Sequence, residues 1–526
     1  MTGRAVNPWL VAMAVVIPTF MEVLDTTIAN VALRYIAGGL SAAETDSEWV
    51  ITSYLAANAI ILPMSGWLSA NLGRRTYFLG SIAVFTLASA CCGLATSLGQ
   101  LILFRVLQGL AGGGLQPSSQ AILLDSFPAE KQGAAQTLFG VAALLAPIIG
   151  PTLGGYITDQ FSWRWIFLIN IPVGLAALGF CHLLVRDPDY LVQQRAEIRR
   201  RPFSFDTLGL SLLTLCLCSW EVLLSKGQEW DWWGDPFGRV QWLTVFFVGG
   251  LAGLVWWESR TRNPIVNFRP LLDRNFAASC VIIFCSFGVL YGSSTLLPAM
   301  LESLFGYDAF HAGLVLSPSG ITTLMAIVMV GALMGRDVDA RWLIFTGLLI
   351  MAAGNFWMSQ LNLEVGPLQV VWPRVVTVTG LGFVFAPLNV AAYMRIPPAL
   401  RGAAVGLFAL LRNEGGSAGT SIGQTILERR EIFHNVRLNE NLDPLNPALN
   451  DFVGQAQSLY AGATGDPVNA QMMAYQMLMD TRDAQSLSLA YFDCFMIFTI
   501  LGVVLAGLVL FMRPSIVPKG AHVAAE

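Results

Sequence analysis

The chain has 526 residues, 55% of them hydrophobic and only 12% charged, about half the charge of a soluble domain. A soluble chain of this length would fold as about three or four domains, each needing a charged surface that 30 basic and 34 acidic residues do not supply. A net charge of -4 also excludes a nucleic-acid binder, which needs a basic face.

Taken in chain order, apolar runs of about twenty residues, the length that crosses a bilayer, recur from end to end. They predict fourteen membrane helices, near 10–33, 49–70, 77–96, 101–123, 134–157, 164–185, 207–225, 240–257, 276–298, 311–334, 342–360, 368–392, 403–426 and 490–512. The first is not read as a cleaved signal: it is long, carries Glu22 and Asp25, and lacks a small-residue cleavage pattern. All eight cysteines sit inside apolar runs and the four histidines lie far apart, so neither a disulfide framework nor a metal centre is expected, and no cofactor is called for.

Lysine and arginine are retained on the cytoplasmic side of membrane proteins. With the N-terminus inside, nineteen basic residues fall on inner segments (Arg4, Arg74, Arg75, Lys131, Arg186, Arg195, Arg199, Arg200, Arg201, Arg260, Arg262, Arg269, Arg274, Arg336, Arg341, Arg395, Arg401, Arg513 and Lys519). Short outer loops hold four: Arg34, Arg164, Lys226 and Arg239. Both termini are therefore expected in the cytoplasm, which requires an even number of spans. The long segment 428–489 then lies outside. Its Asp443-Pro444, Asn446-Pro447 and Asp466-Pro467 steps, with Met472, Met473, Met477 and Met479, predict short helices joined by turns, either functional or a simple lid.

The chain matches itself at a constant offset of 269. Arg105-Val106 falls on Arg374-Val375, Gly133-Ala134-Ala135 on Gly402-Ala403-Ala404, Leu138-Phe139 on Leu407-Phe408, and Gly150 and Gly154 on Gly419 and Gly423. Spans one to six and nine to fourteen thus form parallel repeats, the pattern of a transporter with two rocking bundles and a site between them. The fold class is an all-α polytopic membrane protein of two six-helix bundles plus two inserted helices. Residues 1–185 form the first bundle, 186–275 a cytoplasmic loop and the inserted pair, 276–512 the second bundle, and 513–526 a tail. Gly415 to Gly419 spell G-x-S-x-G, but an apolar helix surrounds them where the hydrolase elbow needs a strand, so no enzyme is expected.

Ionisable groups at bilayer depth cost about 2.5–3.5 kcal/mol each, so each needs a partner, water or a task. Eight qualify: Glu22, Asp25, Arg105, Glu221, Arg374, Arg412, Glu414 and Asp493. Glu22 and Asp25, three apart, share one helix face. The pair is a candidate proton carrier with Arg105 as its counter-charge, or an ion pair that merely pins helices. Arg374 is read as helix pinning or anion binding. Arg412 and Glu414, two apart, are expected to pair with other helices, with Asp493 one partner open to Arg412. Glu221, near Trp230, Trp232 and Trp233, is read as interface anchoring.

Several motifs resemble one family. Leu24-Asp25-Thr26-Thr27-Ile28-Ala29-Asn30-Val31-Ala32-Leu33 resembles the first-helix motif of the major facilitator superfamily's 14-span drug:proton antiporters, typified by EmrB. Arg105-Val106-Leu107-Gln108-Gly109 is similar to its fourth-helix motif, Gly150-Pro151-Thr152-Leu153-Gly154-Gly155 to its fifth-helix antiporter motif, and Gly66-Trp67-Leu68 with Gly73-Arg74-Arg75 to its cytoplasmic loop motif. Ala70 stands where that loop motif usually has Asp, and Arg34 where the first-helix motif commonly ends in Pro. The resemblance covers essentially the whole chain. It implies a proton-coupled exporter of amphipathic toxic compounds in the bacterial inner membrane, working with an EmrA-like periplasmic adaptor and a TolC-like outer-membrane channel. It assigns proton coupling to Asp25, Glu22 and Arg105, a substrate cavity to Glu22, Asn30, Gln108, Arg374, Arg412, Asn413 and Glu414, and gating to Gly66, Gly73, Arg74, Arg75, Gly150, Pro151, Gly154 and Gly155. The alternative on the same scaffold is an importer or exchanger of a specific small solute, although the spans are mainly Leu, Ala, Phe and Gly, which suits amphipathic cargo.

The charge count yields the first test. Single cysteines at Arg199 and Gly465, in a background without native cysteines, are expected to label from opposite sides of an intact membrane. Same-side labelling would mean that the span count is wrong by an odd number.

Overall fold

The computed structural model describes residues 7–128, 131–188, 191–193, 195, 206–261, 264–335, 338–397, 400–443 and 445–515. Arg4, Arg199, Arg200, Arg201, Arg262, Arg336, Pro444, Lys519 and the side chain of Pro151 lie outside the described residues.

The described residues form helices and no strands. In order they are α1 (Pro8–Val31), α2 (Leu33–Leu40), α3 (Glu44–Ser47), α4 (Trp49–Leu72), α5 (Arg74–Gly93), α6 (Leu98–Gly112), α7 (Leu115–Ser126), α8 (Gln132–Gln160), α9 (Trp165–Leu168) and α10 (Asn170–Leu184). Then follow α11 (Thr207–Lys226), α12 (Arg239–Arg260), α13 (Arg274–Phe305), α14 (Ala309–Leu316), α15 (Pro318–Met334), α16 (Ala340–Ser359), α17 (Pro367–Tyr393), α18 (Arg401–Asn439), α19 (Pro447–Thr464) and α20 (Pro467–Val509). Local chemistry sets many of the starts. Asn7 accepts from Trp9 N with Pro8 in the first turn, Asp206 from Gly209 N, and Asp273 from Phe276 N, which satisfies amide groups that a helix start leaves open.

Among the described residues twelve helical stretches are long and apolar enough to cross a membrane, and a bent pair over 134–160 makes a thirteenth. The expected span near 403–426 falls in the first part of α18, which is too rich in charged and polar residues to be among them, so the described residues do not reach the expected fourteen. The span near 101–123 is two helices, α6 and α7, separated at Gly113-Gly114.

Packing follows the internal repeat. In the first bundle α8 packs on α1, with Gly150 against Thr27 and Gly154 against Ile28. In the second bundle α18 packs on α13, with Gly415 against Phe284 and Gly419 against Gly288. Helices gain no hydrophobic drive against lipid, so close backbone approach through small residues carries their association. The inserted pair α11 and α12 pack on one another through Gly250 against Cys216 and through Trp220 stacked on Phe247, 4.7 Å apart. On its other side α11 contacts both α4 and α18, so it touches both bundles.

The bundles meet along α4 and α18, where Gly66 faces the backbone of Gly402 and Gly406 faces Leu62 O. They meet again where Gln120 Nε2 donates to Asn389 Oδ1 at 2.7 Å, a pair separated by 269 residues and so repeat mates. A stacked group of Phe139, Phe385 and Phe287 lies between, with centroids 6.2 and 5.9 Å apart.

The expected loop 428–489 is mostly helix. α18 runs 39 residues and α20 runs 43, about 58 and 64 Å at 1.5 Å per residue, against about 30 Å of hydrocarbon. Both project beyond the bundle as rods, with α19 between them. The Asn446-Pro447 and Asp466-Pro467 steps are the starts of α19 and α20, each Asn or Asp capping the second residue on. The turns were legible in the sequence; the continuation of the membrane helices was not, because their polar composition outside the bilayer hides it.

A β-carbon at Gly419 would collide with the backbone of Gly288, whereas Gly155 faces open space. Gly419→Ala is expected to destabilise the detergent-solubilised protein by about 1–3 kcal/mol, the usual cost of overpacking, and Gly155→Ala to leave it near wild type. Thermal unfolding checks this; equal effects would remove the distinction between the two positions.

Candidate functional site

Asp25 is buried in the C-terminal third of α1, and Arg105 of α6 is fully buried beside it. Arg105 Nη1 donates to Asp25 Oδ2 at 2.6 Å and to Gln108 Oε1 at 2.9 Å. Gln108 Nε2 donates to Asp25 Oδ1 at 3.0 Å, and Asn170 Nδ2 of α10 donates to the same oxygen at 2.7 Å. Every one of these contacts presents a donor to the Asp25 carboxyl. Arg105 is fixed in turn by Val50 O at 3.1 Å and by the Tyr54 ring, 4.1 Å beneath the guanidinium. One carboxylate thus ties α1, α4, α6 and α10 together.

Glu22, one turn earlier, has a separate and uncharged set of partners. Tyr54 Oη donates at 3.2 Å and Asn58 Nδ2 at 3.1 Å to Oε1, and Gln116 Nε2 of α7 donates to Oε2. Asn58 Oδ1 accepts from Asn413 Nδ2 of α18 at 3.2 Å, so a short polar chain runs from Glu22 into the second bundle.

The repeat mate of Arg105 keeps its burial but lacks a carboxylate. Arg374 donates to Ser293 Oγ at 2.6 Å and Ser294 Oγ at 2.5 Å, both on α13. Arg412 is buried with Nη1 and Nη2 lacking hydrogen-bond partners, its guanidinium 5.7 Å from the rings of both Phe139 and Phe287. The carboxylate whose charge reaches it is Glu22. Glu414 faces Glu221 of α11.

At the end of the bundle that carries Gly73, φ +89° at this glycine turns α4 into α5, a conformation that favours glycine. Arg74 pairs with Asp125 of α7, Arg75 N donates to Asp187 at 2.7 Å, and Arg75 Nη2 donates to His182 O at 2.8 Å. The carboxylate that Ala70 does not provide thus comes from α7. Gly66, Arg74 and Asp125 line a cavity of about 230 Å³ shared with Arg401 and Gly402 across the bundle interface.

Comparison with known proteins fits this geometry. The family model of the Major Facilitator Superfamily matches residues 15–420. The chain belongs to that superfamily. It is 35% identical over 513 residues to the probable multidrug resistance protein EmrY of Escherichia coli K12, covering 97% of this chain and 96% of that one. It is 34% identical over 515 residues to the multidrug export protein EmrB of the same strain, at the same coverage. The solved structure of the proton:xylose symporter XylE aligns with TM-score 0.58 over 97% of both chains at 13% identity, a likeness of fold.

The structure of this major facilitator protein gathers some of the expected residues and separates others. Asp25, Arg105 and Gln108 form one cluster, while Glu22 joins Asn413 through Asn58. Asn30 lies exposed at the end of α1, away from both. Asp493 does not pair with Arg412: its Oδ2 meets Arg430 Nε and His434 Nε2, each at 2.6 Å, on the projecting part of α18. Glu221 is not an interface anchor, being 2% exposed. Sequence reasoning missed Tyr54, Asn58, Gln116 and Asn170, all buried. Weighing buried amides and phenols by the same cost applied to charges would have found them.

Proposed function

We propose that this chain is a proton-coupled exporter of hydrophobic or amphipathic toxic compounds in the bacterial inner membrane, with both termini cytoplasmic. The names of EmrB and EmrY support multidrug export, and the observation that carries the coupling is Asp25, buried and held by Arg105, Gln108 and Asn170. A proton arriving at Asp25 cancels the charge that Arg105 grips, freeing α1 from α6 and α10, and releasing that proton on the other side restores the pair. Carrying one elementary charge across the field is worth about 2.3 kcal/mol per 100 mV, which drives export. Glu22, next to the bundle interface, tunes the site and favours cationic cargo.

On this reading residues 1–185 and 276–512 rock about the cavity between them, with 186–275 as insert and 513–526 as tail. The glycine seams of α8 and the Gly66, Gly73, Arg74 and Arg75 region form the gates. Gln108, Arg374, Arg412, Asn413 and Glu414 belong to the polar lining of the two bundles. The rods α18 and α20, with α19, dock an EmrA-like adaptor that leads to a TolC-like channel. A solute importer is disfavoured by the aromatic, largely apolar contact between bundles around Phe139, Phe287 and Phe385.

Asp25→Asn keeps shape but carries no proton, so it is expected to abolish uphill export in proteoliposomes while the protein still inserts and binds cargo. Glu22→Gln is expected to do less, shifting pH dependence or the preference for cations. Uphill transport by Asp25→Asn at normal expression would refute the assignment.

Replacing residues 440–480 by a short flexible linker should abolish export across the whole envelope while proteoliposome transport persists. If both fall together, the rods serve the transporter's own gate.

A further inference from the structure

Glu221 and Glu414 come from different units of the chain. Glu221 lies on the inserted helix α11 and Glu414 on α18 of the second bundle, and they are 2% and 5% exposed. Ser417 lies one turn after Glu414 on α18, so its contact with Glu221 sets the two carboxyls on facing sides of α11 and α18. Ser417 Oγ donates to Glu221 Oε1 at 3.3 Å, and Glu414 Oε2 is buried without a hydrogen-bond partner. Two ionised carboxylates buried face to face offer only acceptors and like charge, so they stay together only with a proton on one.

The surroundings supply no cation in its place. On α11, Cys216 and Cys218 are the neighbouring titratable groups, and Lys226 is held by Glu48 at 2.7 Å and Glu229 at 2.6 Å. α4 has no charged residue between Trp49 and Leu72, and its Tyr54 donates to Glu22. α12 bears charge only at its ends, in Arg239, Glu258 and Arg260. On α18, Arg412 lies between Phe139 and Phe287. From α13, Tyr291 lies against Gly416, and the charged residues Arg274 and Glu302 lie toward the helix ends. From α20, Asp493 pairs with Arg430 and His434; from α7, Asp125 pairs with Arg74.

We infer that Glu221 and Glu414 form a second proton-binding site, sharing one proton that clamps the inserted helix to the second bundle. The inference rests on the proton-driven reading above but uses neither Asp25 nor Glu22. Losing the shared proton leaves two carboxylates face to face in a medium of low dielectric, which repel and part α11 from α18. α11 is also fastened to the first bundle, where Ser225 Oγ meets Thr52 Oγ1 at 2.5 Å. The site is therefore placed to make the seating of α11 between the bundles depend on proton occupancy, which gives the inserted helices a part in the transport cycle.

Infrared spectroscopy of the full chain in lipid vesicles, titrated with alkali, tests the site directly. The wild type should show a protonated-carboxyl stretch that disappears as pH rises. Glu221→Gln and Glu414→Gln should each remove the same band, and the double variant should remove no more, because one proton is shared. Both single variants should also shift the pH dependence of proteoliposome export, while Asp25→Asn leaves the band in place. A spectrum unchanged in both single variants would overturn the proposal, as would two independent bands lost one per variant. Gln preserves side-chain size, and a normal thermal midpoint separates loss of the proton from loss of the fold. Because the band is read without transport, its absence and the failure of the Asp25 reading are distinguishable.

Discussion

The first bundle is arranged around a buried carboxylate and the guanidinium that grips it. Asp25 and Arg105 would each cost about 2.5–3.5 kcal/mol alone in hydrocarbon, and their mutual attraction offsets this only if their remaining hydrogen-bonding groups are also met. Gln108, Asn170 and Val50 O meet most of them, while Arg105 Nη2 stays buried without a hydrogen-bond partner. The consequence is mechanical as well as electrostatic, since the donors come from different helices. On the proton-coupled reading proposed above, neutralising one oxygen would loosen a junction of four helices.

The duplicated second bundle shows what this junction requires. Arg374 retains the position of Arg105, but hydroxyls of Ser293 and Ser294 stand where the carboxylate would be. Serine does not titrate in any physiological range, so on the proton-coupled reading this half is held by fixed bonds while the first switches. The division of labour arises within one ancestral pattern. The same pattern brings Gln120 and Asn389, equivalent residues of the two halves, into direct contact between the bundles. An uncharged amide pair there can separate and re-form without moving charge across the membrane.

The sequence made the fold class legible through apolar run length and the 269-residue offset, since both are properties of spacing alone. It made the Asp25–Arg105 pair legible because isolated charges in apolar runs are conspicuous. The uncharged members of the site were hidden: Asn58 and Gln116 look like ordinary polar interruptions until the fold aims them at Glu22. The partners of Glu221 and Asp493 were hidden for another reason. Residue spacing constrains neighbours on one helix, whereas these contacts join α11 to α18 and α18 to α20, across 193 and 59 or more residues. The segment 428–489 was read as short helices joined by turns, and the unbroken length of α18 and α20 was missed because helices that leave the bilayer lose the apolar signature used to detect them.

α18 connects these separate features. Its first turns hold Gly402 and Gly406 against α4, and its middle carries Arg412, Asn413 and Glu414 toward three different neighbours. Gly415 and Gly419 then seat it on α13, and its far end meets Asp493 through Arg430 and His434. A helix of 39 residues transmits displacement along its axis with little loss, because its hydrogen bonds run parallel to that axis. On the rocking reading, motion at the bundle interface would reach the projecting rods through α18 itself. The glycine seam on α13 allows such motion, since small residues leave a smooth surface with few interlocking side chains. The polar contacts along the same helix set where it stops.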